Sequence, residues 1–220
     1  MRDLLLIPGW GFDERVWQPV VEHLASEFRI GFDVDAMPEN AIVCGWSLGA
    51  MRALELAPRR PDAVSRLVLV GATPRFVQAA HWPEAQPPRL LEDFAAAVAA
   101  DPLATLRRFA ALMNQGDIHA RKLTRRMNAL FAERIPTAES LAAGLAALRD
   151  IDLHASVPAI RQPTLMVHGE HDPLMPLAAG RWLAEHLPNA RIEVFEGAAH
   201  APFLSQAERF VALLKRFAHE

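Results

Sequence analysis

The segment Ala41-Ile42-Val43-Cys44-Gly45-Trp46-Ser47-Leu48-Gly49-Ala50-Met51-Arg52-Ala53-Leu54 constrains this chain more than any other. A short apolar, β-rich run enters a G-x-S-x-G pentapeptide and leaves through a helical pattern. Small residues two before and two after the serine remove the Cβ clashes that would forbid so tight a strand-to-helix turn. Such a turn lifts the Ser47 hydroxyl clear of a sheet. It also points backbone N–H groups at the positive end of the next helix toward any oxyanion formed there. The chain must therefore contain at least one strand–turn–helix unit of a parallel sheet. Alone, the pattern also fits an ordinary turn with a surface serine.

Two later segments favour the chemical reading. Thr164-Leu165-Met166-Val167-His168-Gly169 is β-rich and closes on Glu170-His171-Asp172-Pro173, which puts Asp172 on the loop leaving a strand. Ile192-Glu193-Val194-Phe195 is followed by Glu196-Gly197-Ala198-Ala199-His200-Ala201-Pro202-Phe203, which puts His200 on the next such loop. The order Ser, Asp, His, each just past a strand, resembles that of the α/β-hydrolases.

Short apolar runs alternating with helical patterns predict βαβ units around a mostly parallel sheet of about six strands. The expected strands are Leu4–Ile7, Phe28–Phe32, Ala41–Cys44, Arg66–Val70, Thr164–Val167 and Arg191–Phe195. A helix is expected over about Leu177–Leu187, and another opens on a capping box, Ser205-Gln206-Ala207-Glu208. Residues 74–158 carry helix signals without a convincing strand and are read as an inserted helical cap, with 1–73 and 159–220 as the core of the same domain. Asp101-Pro102 and Thr137 start two of its helices, and Gly116 suits a C′ position. Between Phe32 and Ala41 only eight residues remain, too few for a crossover helix. Extended, they reach roughly 25 Å. This implies a bare crossover, or else a wrongly placed strand at Phe28–Phe32.

In the expected chemistry Ser47 attacks an acyl carbon, His200 takes its proton, and Asp172 fixes the imidazole tautomer and stabilises the imidazolium. The oxyanion donors are read as the N–H of Leu48 and that of Trp10, in the loop Pro8-Gly9-Trp10-Gly11-Phe12. Asp33 and Asp35 also follow a strand and compete for the acid role, but Asp172 has the usual place ahead of His200. Trp46, Trp82 and Phe203 are candidate substrate-binding aromatics, with simple core packing as the competing reading. His168 and His171 beside Glu170 and Asp172 lack an organised ligand set, so no metal and no cofactor is expected.

Arg107, Arg108, Arg121, Lys122, Arg125 and Arg126 fall in a stretch whose sole acid is Asp117. With 121/125 and 122/126 at helical spacing, they form either a face for an acidic partner or a solvated surface. The formal charge of −3 gives no global pull toward nucleic acid. Cys44 is the one cysteine, so no internal disulfide forms, and a place in the core is expected for it. The apolar stretch at the N-terminus is too short for a signal peptide or a membrane span, making the cytoplasm the default location. A monomer is expected.

Several of these residues resemble the pimeloyl-acyl-carrier-protein methyl ester carboxylesterases of biotin synthesis. Gly9-Trp10-Gly11 with Val16-Trp17, the elbow with Trp46 ahead of its serine, Trp82-Pro83, Arg108-Phe109-Ala110-Ala111-Leu112 and Ala198-Ala199-His200-Ala201-Pro202-Phe203 carry the likeness. It implies hydrolysis of a carrier-linked methyl ester and makes Arg108, Arg121 and Arg125 candidate contacts for an acidic acyl carrier protein. The chain departs from that family in lacking the N-terminal antiparallel strands, in having Pro8 where a histidine is usual, and in its short 33–40 segment. The residues alone leave open a general short-chain carboxylesterase or thioesterase, a C–C hydrolase or lactonase, and a non-catalytic ligand-binding relative.

Overall fold

The computed structural model describes residues 1–220. Six strands form one parallel sheet: β1 (Arg2–Ile7), β2 (Phe28–Gly31), β3 (Ala41–Trp46), β4 (Val64–Val70), β5 (Thr164–Gly169) and β6 (Ala190–Phe195), in the order β2-β1-β3-β4-β5-β6. All six residues of β3, and all six of β5, are buried. Since successive side chains point to opposite faces, such runs are covered on both sides, as parallel sheets require. The edge strands differ. β2 is only four residues long, and Arg29 on it makes a two-pronged ion pair with Asp3 at 2.8 and 2.7 Å. Short, charged edges discourage pairing with another chain.

The flanking helices are α1 (Gln18–Leu24), α2 (Leu48–Arg59), α7 (Leu177–His186), α8 (Pro202–Ser205) and α9 (Ala207–His219). α2 lies against β1, β3 and β4, α7 against β5 and β6, and α1 against α9. α9 buries Phe210, Val211, Leu213, Leu214 and Phe217. Its expected capping box does not form: Gln206 occupies the cap without a side-chain bond, and Ser205 ends α8 with its hydroxyl bonded to Asp117 at 2.9 Å. α9 starts one residue too late for Ser205 to accept from its first turn, and the hydroxyl donates to Asp117 instead.

β2 is real, and the crossover to β3 is bare. Residues 32–40 pass β1 as turns without a helix. They are held by an Asp33 side chain accepting from Asp35 N–H at 2.9 Å, by buried Met37, and by Arg60, which donates to the carbonyls of Val34 and Met37. Asn40 closes the link in a left-handed conformation at φ 62°, one that asparagine tolerates better than most residues.

Between β4 and β5 the chain forms α3 (Pro88–Ala100), α4 (Pro102–Met113), α5 (Ala120–Glu133) and α6 (Ala138–Asp150). Asp101 caps α4 by accepting from Ala104 N–H at 3.0 Å, and Thr137 caps α6 by accepting from Ser140 N–H at 3.1 Å. Gly116, at φ +88°, stands one position later than expected, because α4 stops at Met113 and Asn114 is its cap. One apolar cluster of 63 buried residues contains both strand residues such as Leu6 and Val68 and cap residues such as Phe94, Leu106, Phe131 and Leu141. The four helices therefore share the interior of the sheet. No helix is long and apolar enough to cross a membrane. Cys44 is fully buried, and burial pushes its thiol pKa far up, so it is an inert core residue.

Candidate active site

β3 delivers Ser47 to the turn at its C-terminal end, and α2 starts with the next residue. The serine backbone sits at φ 59°, ψ −123°, one of two non-glycine residues at positive φ. Neighbouring glycines permit this. A Cβ at Gly45 would lie 2.3 Å from the carbonyl oxygen of Gly49, and a Cβ at Gly49 would lie 2.3 Å from that of Ile7. No side chain fits at either place, so the motif spacing is enforced by backbone against backbone. Ser47 N–H donates to Val70 O at 2.9 Å, which pins the elbow to the end of β4.

Asp172 follows β5 and His200 follows β6, and the two meet. His200 Nδ1 lies 2.7 Å from Asp172 Oδ2, while Asp172 Oδ1 accepts the N–H groups of Leu174 at 2.9 Å and Met175 at 2.8 Å. With Oδ1 occupied by two backbone donors, the free oxygen faces the ring, and Nδ1 carries the proton toward it. Burial pushes the Asp172 pKa up, yet His200 and the donors around it outweigh this, and the carboxyl is held below its ordinary value. The opposite ring atom, His200 Nε2, is buried with no hydrogen-bond partner in the chain. Ser47, Asp172 and His200 are all buried, with His200 fully so.

His168 also belongs to this layer. It is fully buried at the end of β5, bonds Met175 O through Nε2 at 2.7 Å and stands 3.6 Å from Asp172 Oδ2. Burial pushes its pKa down, so it is neutral and serves as a prop for the 172–175 turn. His171 is half exposed and points elsewhere, against Glu170. Gly71, which the sequence does not single out, lies against the pair at φ +52°. A Cβ there would lie 3.1 Å from His200 Nδ1 and 3.2 Å from Asp172 Oδ2.

Trp10 lies over the elbow. A Cβ on its neighbour Gly9 would come within 3.0 Å of Ser47 Cβ, so this loop runs directly above the serine. Neither the Trp10 N–H nor the Leu48 N–H donates to a backbone or side-chain acceptor, and Leu48, heading α2, has no intrahelical partner. The Trp10 indole donates to Leu141 O of α6 at 2.9 Å and packs edge-on to Phe109 and Phe94.

The three candidate aromatics separate. Trp46 and Phe203 are fully buried behind the histidine loop, the Trp46 indole donating to His200 O at 2.7 Å and packing against Phe203. Trp82 goes elsewhere: it bonds Arg75 O at 3.0 Å and packs on His154 and Trp182. Phe12, in the same loop as Trp10, packs against Trp46, Phe109 and Phe131. A cavity of about 380 Å³ between α3 and α6, lined by Leu91, Val98, Ala142 and Leu145, has none of the Ser47, Asp172 or His200 atoms in its wall. On α4 and α5, Arg107, Arg108, Arg121, Lys122, Arg125 and Arg126 are all exposed and none forms an ion pair. Arg121 and Arg125 flank an open depression with Ala111, Ala120 and Thr124.

A parallel sheet with a serine elbow at β3, an aspartate after β5 and a histidine after β6 defines the α/β-hydrolase class, and the family model for the alpha/beta hydrolase fold matches residues 34–207. Among solved structures, an esterase from Exiguobacterium antarcticum superposes with a TM-score of 0.89 at 21% identity, covering 100% of this chain and 92% of that one. The enol-lactonase from Burkholderia xenovorans LB400 does so with a TM-score of 0.84 at 21% identity, over 100% and 92%. These likenesses speak for the fold. The pimeloyl-[acyl-carrier protein] methyl ester esterase of Aromatoleum aromaticum is 40% identical, over 97% of this chain and 96% of that protein. That of Nitrosomonas europaea is 36% identical, over 96% and 93%. The chain belongs to the pimeloyl-[acyl-carrier protein] methyl ester esterase family.

Proposed function

We propose that this chain hydrolyses the methyl ester of a pimeloyl group carried on acyl carrier protein, releasing methanol and a free carboxylate. The observation that carries the reading is the 2.7 Å His200–Asp172 pair assembled beside a positive-φ serine elbow, in a chain 40% identical to an esterase of that name. Ser47 Oγ attacks the ester carbon as His200 Nε2 takes its proton, and the resulting imidazolium is held by Asp172. The tetrahedral oxyanion falls to the unengaged N–H groups of Leu48 and Trp10. His200 then protonates the departing methoxide, which leaves as methanol, and a water activated by the same nitrogen cleaves the acyl-serine.

The carrier protein is assigned to the exposed, unpaired cations of α4 and α5, with Arg108, Arg121 and Arg125 as contacts. Acyl carrier proteins are acidic, and an unneutralised cationic face speeds encounter with such a partner. Trp46 and Phe203 support the site from behind.

The test compares methyl pimeloyl-carrier protein with a free methyl ester. Ser47→Ala must abolish both reactions. The double charge reversal R121E/R125E is expected to lower carrier-linked turnover at least tenfold, an order set by losing two charge contacts, and to leave the free ester within about twofold. Equal loss on both substrates, or on neither, would sink the carrier assignment.

A further inference from the structure

The α4–α5 turn is stitched to the histidine loop, and Asp117 is the knot. This residue is buried, though it belongs to a turn between two surface helices. Its carboxylate collects hydrogen bonds from separate segments. Oδ2 accepts Ala199 N–H at 2.8 Å, and Oδ1 accepts His119 N–H at 2.7 Å and the Ser205 hydroxyl at 2.9 Å. Backbone bonds run beside it: His200 N–H donates to Met113 O at 3.2 Å, and Ile118 N–H donates to Gly197 O at 2.9 Å. The loop that carries His200 is thus held on one side by Asp172 and Trp46 and on the other by the cap.

From this geometry we propose that Asp117 is a positioning residue for the hydrolysis: by gripping the N–H immediately before His200 it fixes the imidazole against Ser47 from the cap side. The proposal rests on the reading of His200 as the general base. Its physical basis is the number of acceptors. Ala199 N–H, whose bond is buried, and His119 N–H, whose bond is partly so, use different oxygens of one carboxylate, and a buried N–H left unpaired costs more than a hydrogen bond returns. An asparagine has the same shape but a single acceptor oxygen, so whichever way it turns, one of the two N–H groups loses its partner. Ser205 can reverse its hydroxyl and suffers less. Since small displacements of a general base are costly in rate, the deficit is expected in the chemical step and not in ester binding.

D117N and D117A are compared with wild type for the rate constant of labelling by a fluorophosphonate probe, and for kcat and KM on a short-chain p-nitrophenyl ester. The labelling rate constant is a property of each folded molecule and does not depend on how many are folded. D117N is expected to lower it and kcat about tenfold, the scale of one orphaned buried donor, with KM within about twofold. D117A, which orphans both N–H groups, is expected to be slower still. Rates within twofold of wild type in D117N would overturn the proposal, and so would a rise in KM at unchanged kcat. D117N keeps the shape of the side chain and carries the test where D117A fails to fold. The parent reading fails separately: it falls if wild type is not labelled, or if Ser47→Ala is labelled equally well.

Discussion

The indole N–H of Trp46 donates to the carbonyl oxygen of His200 at 2.7 Å, so the residue preceding Ser47 on β3 grips the histidine delivered by β6. Two segments 154 residues apart are locked together at their reactive ends by one buried bond. Trp46→Phe keeps the ring but orphans that carbonyl. We expect a loss of about 1–3 kcal/mol in unfolding free energy, the scale of a buried acceptor without a partner, read from urea denaturation. A fall in kcat should accompany it, and unchanged stability together with unchanged kcat would contradict the coupling.

Gly71 leaves room for Asp172 and His200 to meet. Its φ of +52° is left-handed, and a Cβ would press on His200 Nδ1 at 3.1 Å and Asp172 Oδ2 at 3.2 Å. Gly71→Ala is expected to cost about 1–2 kcal/mol for the backbone alone and to reduce kcat at least tenfold by spreading the pair, tenfold being about 1.4 kcal/mol. Thermal melts and ester turnover measured side by side test both parts.

Acid should loosen the attachment of the 8–13 segment to the residues that follow α5. Asp13, directly after Phe12, accepts from Arg15 at 2.9 Å and from Arg134 beyond α5 at 2.7 Å. Although burial raises its pKa, these arginines bring it down to about 2 from the ordinary 3.8. A carboxyl depressed on folding stabilises the native state above its unfolded pKa and loses that contribution as pH falls toward the folded one. The Asp13 share, up to about 2 kcal/mol, is therefore complete above roughly pH 4 and disappears toward pH 2. Wild type and Asp13→Asn should differ in unfolding free energy at pH 6 and converge by pH 2. A constant difference across that range would refute the assignment.

Ionic strength separates the two kinds of ester. If exposed Arg121 and Arg125 guide an acidic carrier, raising salt from about 0.05 to 0.5 M shrinks the screening length to a few ångströms. kcat/KM for the carrier-linked ester should then fall severalfold while that for a free methyl ester stays level. Parallel curves would place carrier recognition elsewhere.

What could be read from the sequence was whatever is local. The six strands lie where apolar β-rich runs put them, with ends moved by one or two residues, and Asp101 and Thr137 cap the helices they were expected to cap. The Ser47 elbow is legible because its five residues are consecutive, although the carbonyl that forbids a side chain at Gly49 comes from Ile7 on another strand. Tertiary competition was not legible. Ser205 looks like a helix cap, but α9 takes Gln206 as its cap residue and the Ser205 hydroxyl donates to Asp117, 88 residues away. Trp82 looks like a pocket aromatic until Trp182 and His154 give it a neighbourhood of its own. Asp117 drew notice only as the one acid in a basic stretch, because nothing in the order of residues says that its turn reaches the histidine loop. Gly71 carries no signal beyond a glycine after a strand.

The uninterrupted interior running from β1 to α6 bears on how such a protein could be re-engineered. A helical segment transplanted between β4 and β5 would have to supply an acceptor for the Trp10 indole and a carboxylate for the Ala199 amide. For the same reason heating should give a single calorimetric transition, the roof and the body melting together, because neither closes its own apolar surface without the other.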